Sequence, residues 1–114
     1  MLNDPALILA ATAVRNATTH VQLHSGAPGA AGTSNVTTAA RQPAAGTVDA
    51  DGDISWGPLN FTGVAANGAA TYVTYWSALT GGTCYGQAQL TGDLTANAAG
   101  EYTVTSITET STAT

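Results

Sequence analysis

Three aspartates lie close together in one short segment, and carboxylates in such a run are the side chains best suited to hold a metal ion. The segment Asp49-Ala50-Asp51-Gly52-Asp53 is similar to the start of a calcium-binding loop. An EF-hand loop needs oxygen ligands at positions one, three and five, glycine at position six and a glutamate at position twelve. Counted from Asp49, the glycine stands fourth and the twelfth residue is Asn60. We therefore predict a solvated acidic turn and no metal site.

Two histidines, His20 and His24, form a second pair of possible ligands. They stand four residues apart in a segment where Val21 and Leu23 alternate with polar residues, a pattern typical of a strand with one dry and one wet face. Residues four apart on a strand lie about 13 Å from each other, too far to share one ion. We expect both histidines to be polar surface residues or contacts to a neighbouring chain.

No residue set in the sequence matches a known catalytic motif. Cys84 is the only cysteine, so no disulfide can form within the chain, and we expect it to be a small apolar residue on a strand. No nucleophile elbow, phosphate-binding loop, zinc-binding HExxH or dinucleotide fingerprint occurs. We predict a non-enzymatic protein with no catalytic residues, no cofactor and no metal.

Charge and hydropathy exclude two classes of partner. The formal net charge is −5, and the only cations apart from histidine are Arg15 and Arg41, whereas binding a phosphate backbone needs clustered Lys or Arg. The apolar stretch over residues 6–14 is shorter than the roughly 20 residues of a membrane span, and no basic region precedes it. We expect neither nucleic-acid nor membrane binding. Charged residues make up only 8% of the chain, which suits a protein packed against neighbours.

The elements that must position these residues begin with a helix. Asn3 and Asp4 are suitable N-caps and Pro5 suits the first helical position, so we predict an N-terminal helix within residues 1–17. Leu7, Ala10, Ala11 and Val14 recur at helical spacing and are expected to form one apolar stripe, with Leu2 and Leu9 outside it. A helix with apolar residues on more than one side is expected to be buried on more than one side.

The rest of the chain alternates short β-type segments with turns. Residues 25–38 are dense in turn residues and predict a long loop, and residues 35–48 give a poor signal. The other segments are predicted as strands, the last of them continuous: Thr19–His24, Ile54–Trp56, Leu59–Thr62, Ala70–Ala78, Thr83–Leu90 and Glu101–Ile107. This spacing predicts a mainly β fold, a single antiparallel β-sandwich or small barrel with a short N-terminal α-helix, in one domain over residues 1–114.

Taken in order, these residues resemble small actinobacteriophage virion proteins of the tail-fibre, minor-tail and capsid-decoration type. The resemblance covers roughly residues 6–108. Its motifs are Val21-Gln22-Leu23-His24 with the following Ala27-Pro28-Gly29 loop, the step Ala40-Arg41-Gln42, Trp56 with Leu59-Asn60-Phe61, and Tyr75-Trp76-Ser77-Ala78-Leu79-Thr80-Gly81-Gly82-Thr83. These are packing and turn residues, so the resemblance implies a structural protein of the virion, made in the bacterial host cytoplasm.

The resemblance leaves the place in the particle open, and three functions are weighed. The leading expectation is a capsid decoration, cement or minor capsid protein that stabilises the shell, because the chain has no heptads and no length for a fibre stalk. The alternatives are a minor tail or tail-fibre protein contacting the host surface, and a carbohydrate-binding module whose aromatic candidates are Trp56, Tyr72, Tyr75, Trp76 and Tyr85.

The expected partners are the major capsid protein, copies of the same chain, or both, in a symmetric oligomer or high-copy assembly. The anchoring segments are the apolar helix and the long loop. The residues predicted to contact a partner are Leu7, Leu9, Val14, Pro28 and Arg41. For Arg41 an internal ion pair with one of the turn aspartates is an equal alternative.

Overall fold

A computed structural model describes residues 2–109. One helix, α1 (Asp4–Ala17), precedes all the strands. The backbone carbonyl of Asn3 accepts the amides of Ala6 and Leu7 at its N-terminus, and Pro5 lies in the first turn. The helix therefore begins and ends close to the predicted bounds.

Short strands make up the rest of the described fold. In chain order they are β1 (His20–His24), β2 (Gln42–Pro43), β3 (Gly46–Val48), β4 (Ile54–Trp56), β5 (Leu59–Phe61), β6 (Tyr72–Trp76), β7 (Cys84–Gln89), β8 (Tyr102–Val104) and β9 (Ile107–Glu109). They form a four-stranded sheet in the order β2-β1-β6-β7, a three-stranded sheet β3-β4-β9 and a pair β5-β8, all antiparallel. The predicted mainly β, antiparallel, sandwich-like fold with one N-terminal helix is confirmed; within residues 2–109 the sheets do not close into a barrel.

The core lies between the sheets. The inner face of the large sheet contributes alternate residues of β1 and β6, and the ring of Tyr75 on β6 stacks on Trp56 of β4 with centroids 5.5 Å apart. This contact joins the four-stranded and three-stranded sheets. The other core residues are Val21, Leu23, Ile54, Leu59, Phe61, Val64, Val73, Leu90, Tyr102, Val104 and Ile107.

Two strand predictions are wrong in detail. The last segment is not continuous: β8 ends at Val104 and β9 begins at Ile107, because the chain leaves β5 and joins β4 between them. Tyr102, Val104 and Ile107 are all buried, whereas in the continuous strand that the sequence predicts Ile107 would lie on the opposite face from the other two. The short strands β2 and β3 lie within residues 35–48, where the sequence signal is poor and predicts no strand.

The helix stripe is also only partly correct. Ala11 is buried and Leu7 is half-buried, but Ala10 and Val14 are exposed. The helix packs on β3, and Leu7 lies against the turn at Gly52, where an added Cβ would come within 2.8 Å of the Leu7 backbone. Beyond Ala11 the helix is only partly covered, and Ala13, Val14 and Asn16 are exposed.

Candidate functional site

The outer face of the four-stranded sheet carries the largest group of polar side chains, and it is not open to solvent. Gln22 and His24 on β1 and Thr74 and Trp76 on β6 lie on this face, and all four are buried. The segment that covers them is residues 25–41. We call this surface the covered face.

His24 is held at both ring nitrogens. Nδ1 lies 2.8 Å from the carbonyl oxygen of Ser34, so it must carry the proton and donate it, and Nε2 therefore accepts from the hydroxyl of Thr74, also at 2.8 Å. The indole N–H of Trp76 donates to the same Thr74 oxygen at 2.6 Å. Burial is the main cause that lowers the pKa of His24, and the charge of Arg41 lowers it further.

This finding corrects the surface prediction for His24. Strand β1 is buried on both faces between Val21 and His24, and His24 has no exposed area. The alternation in the sequence was real, but the polar face is covered by a loop instead of by water. Because both nitrogens of His24 are committed, the ring has no lone pair left for acid–base chemistry or for a metal. His20, at the start of the strand, is half-buried.

Arg41 fastens the covering segment to the sheet. Its Nη1 donates to the carbonyl oxygens of Ala78 and Gly81, at 2.9 and 2.8 Å, and its Nε donates to Oε1 of Gln22 at 3.0 Å. The guanidinium carbon stands 3.9 Å above the Trp76 ring centroid, which is a cation–π contact. The acceptors of these Arg41 hydrogen bonds are internal but neutral, so they are not the predicted ion pair with a turn aspartate.

The other predicted contact residues differ in exposure. Leu9 and Val14 are exposed on α1, at 74% and 41%, so they remain available to a partner. Leu7 is half-buried. Pro28 is fully buried, so it shapes the loop and offers no side-chain surface to a neighbour. The contact role of these residues stays a prediction.

The acidic turn is built by its own backbone. Oδ1 of Asp49 accepts the amides of Asp51 and Asp53 at 2.9 and 3.0 Å, which is an Asx-type turn. The three carboxylates offer ligand atoms within 4.8 Å of one another. Gly52 is buried against α1, so the turn also serves to seat the helix.

Most of the aromatic residues considered for sugar stacking lie inside the protein. Trp56, Tyr75 and Trp76 are 2%, 3% and 6% exposed, and Tyr72 is half-buried. Burial and the neighbouring Glu109, which accepts the Tyr75 hydroxyl at 2.8 Å, raise the pKa of Tyr75 well above its usual range. Tyr85 alone of the five has a largely exposed ring, at 45%. A flat stacking platform built from these five aromatic residues is not present.

The comparison with protein families identifies the class of this chain. Residues 6–112 match the family model described as "Podophage GP4 fiber I protein gp80". The match spans nearly the whole chain, and the chain belongs to this family. It is therefore a structural protein of a phage virion, as the sequence predicted; the narrower actinobacteriophage and capsid-decoration assignments are not part of this result.

Two further comparisons add nothing to the family match. No curated protein and no solved structure matches the chain. No helix among residues 2–109 is long and apolar enough to cross a membrane.

The sequence does not predict the polar network of the covered face. Two of its buried residues, Gln22 and Thr74, lie in strands β1 and β6, which contain or overlap motifs of the resemblance.

Proposed function

We propose that this chain is a structural subunit of the tail fibre of a tailed phage. The observation that carries the proposal is the fibre-protein family match over residues 6–112. It favours the tail-fibre alternative over the capsid decoration that size and low charge suggested. The family description names a fibre protein and not an enzyme, which supports a role without catalysis.

The geometry supports a structural role, in which the protein serves as a rigid subunit. Hydrogen bonds fix the segment 25–41 on the sheet: the His24 ring bonds the carbonyl of Ser34, and Arg41 bonds the carbonyl of Ala78. Thr74 holds the His24 ring in place from within the sheet. These contacts make the loop part of a rigid body, since His24 and Arg41 would lose these partners if the loop lifted. A rigid compact unit with few charges is suited to close packing within a fibre or at its base.

The test is to locate the chain on intact particles. Immunogold labelling with antibodies raised against the folded protein is expected to mark the tail, and quantitative mass spectrometry is expected to find few copies relative to the major capsid protein. Label spread over the shell, with hundreds of copies per particle, would overturn the fibre role and indicate capsid decoration. In that case particles lacking the chain should also lose their DNA on heating more readily than intact ones.

A further inference from the structure

Strand β7 forms one edge of the four-stranded sheet, and its outer side meets no other described strand. It is six residues long, the longest strand among residues 2–109, and it pairs only with β6. An edge strand presents unpaired backbone N–H and C=O groups that can pair with a further strand.

The register identifies which groups face outward. The amide of Leu90 donates to the carbonyl of Thr71 at 2.8 Å, which continues the ladder in which Ala88 pairs with Val73 and Gly86 with Tyr75. In an antiparallel ladder, alternate residues direct their backbone groups to opposite sides. The N–H and C=O groups of Gln87 and Gln89 therefore point away from β6.

The edge strands β2 and β3 are protected along their length, whereas on β7 the irregularity and the contact with Gly32 fall at its start, around Cys84. On the far side of the same sheet, β2 has two residues, and one of them is Pro43, which has no N–H to offer. In the second sheet, β3 has three residues, is packed against α1 and runs directly into the Asp49 turn. Strand β7 contains no charge and no proline, and its single irregularity lies at the start, opposite Tyr75 and Trp76. Native edges normally carry such protection unless they pair.

The surface beside the edge is mainly apolar. A groove of about 260 Å³ lies between α1 and β7, lined in part by Ala10, Ala11, Val14, Tyr85 and Gly86. Glu109 also lines it, and its carboxylate accepts the hydroxyl of Tyr75. Val14 and Tyr85 are 41% and 45% exposed there. A strand added along β7 would remove part of this surface from water. The added segment must be extended because it pairs with a strand, and it should be uncharged and small because it lies beside a mainly apolar groove.

We propose that β7 pairs antiparallel with β7 of a second copy, which joins two four-stranded sheets into one across the interface. Strand β7 of the second copy has the properties required of the added segment, because it is extended and uncharged and its residues Gly86 and Ala88 are small. In a two-fold arrangement the outward groups of Gln87 face the equivalent groups of the other copy. An uncharged seam adds no like-charge contact at the interface between two chains that each carry a net charge of −5. The inference rests on the structural role proposed above.

The experiment measures self-association of the full chain by sedimentation velocity over about 1 to 500 µM. Wild type is expected to form a dimer. Gln87→Pro removes one outward N–H without removing a backbone hydrogen bond to β6, and Gln87→Lys places a charge at the proposed interface. Both variants are expected to weaken the dimer at least tenfold while still melting cooperatively. Thr47→Lys, at an exposed position on β3, is the matched charge control and should dimerise as wild type does.

Amide hydrogen exchange gives a second readout that does not depend on a variant. At high concentration the amides of Gln87 and Gln89 should gain protection, while the amide of Leu90 is protected at every concentration because it is bonded within the chain. A chain that stays monomeric throughout, or Gln87 variants that dimerise as tightly as Thr47→Lys, would overturn the proposal. These measurements use purified protein, so a shell location in the particle would refute the fibre role and leave this result unaffected.

Discussion

Replacing Thr74 by valine should destabilise the protein more than its single lost hydroxyl suggests. The Thr74 oxygen is completely buried and serves two partners, since it donates to Nε2 of His24 and accepts from the indole N–H of Trp76. Valine has nearly the same shape, so the substitution creates no cavity of consequence. It leaves one buried acceptor and one buried donor without partners.

The magnitude follows from those two groups. A buried polar group left unsatisfied costs about 1–3 kcal/mol, and valine offsets about 1 kcal/mol because it needs no desolvation of its own hydroxyl. For two such groups the net loss in the free energy of unfolding should be about 1–5 kcal/mol. With a urea dependence of about 1.5 kcal/mol per molar, the unfolding midpoint should fall by roughly 0.7–3.3 M.

The chain offers a matched control at Thr71, just before the same strand. The hydroxyl of Thr71 is buried and has no hydrogen-bond partner among the described residues. Thr71→Val therefore removes an unsatisfied group, and its free energy of unfolding should be equal to wild type or higher by up to about 1 kcal/mol. Urea unfolding followed by tryptophan fluorescence at neutral pH measures both variants. If Thr74→Val stays within about 0.5 kcal/mol of wild type, or if both variants lose the same stability, the network does not hold the loop as argued.

Three further predictions concern the same region. Burial lowers the pKa of His24 below its ordinary value of 6.5, so as the pH falls the unfolded chain binds the proton before the folded one does. The free energy of unfolding should therefore be full above about pH 6.5 and decline below it by up to about 1.4 kcal/mol per pH unit. Urea midpoints that do not fall between about pH 7.5 and pH 5.5 would contradict this. Arg41→Lys loses the stacking on Trp76 and the hydrogen bonds to two carbonyls, so its free energy of unfolding, measured by thermal unfolding, should fall by about 1–3 kcal/mol. Arg15→Lys on the helix should lose less than about 0.5 kcal/mol, and equal losses in the two variants would contradict the role given to Arg41. Gly32→Ala and Gly81→Ala both force a side chain onto a positive φ, but only at Gly32 would the new Cβ meet the thiol of Cys84, at 2.6 Å, so the melting temperature of Gly32→Ala should fall further. An equal fall at the two sites would show that the loop is not packed against β7.

The sequence predicted the kind of fold because its local signals agree with the tertiary structure in most segments. Pro5 marks the helix start, and the β-branched and aromatic run that becomes β6 was the clearest strand in the chain. Turn glycines separated the strands at close to their observed bounds. The division of the last segment into β8 and β9 could not be predicted, because it depends on which partner strand each half meets.

The polar face was misjudged for a physical reason. Alternation of apolar and polar residues in β1 shows that the two faces differ, but it does not show what covers the polar one. The covering segment has no periodicity of its own, and its attachment depends on contacts between residues far apart in sequence, such as Ser34 with His24 and Arg41 with Ala78. The contact of Arg41 with a partner stays a prediction, and the carbonyls that it binds within the chain carry no signal in the sequence.

The covered face and the open edge together restrict how this subunit can assemble. One face of the four-stranded sheet packs on the core through Val73 and Tyr75, and the other is closed by the segment 25–41. Stacking of another sheet on the outer face would require that segment to lift and would separate His24 from Ser34 and Arg41 from Ala78. The backbone hydrogen bonds still available on this sheet lie along β7, in the plane of the sheet. Association should therefore be lateral, and a Thr74→Val variant that loosens the loop should lose stability without losing the β7 contact. Selective loss of dimerisation in Thr74→Val, with Gln87→Lys still dimeric, would place the interface on the covered face instead.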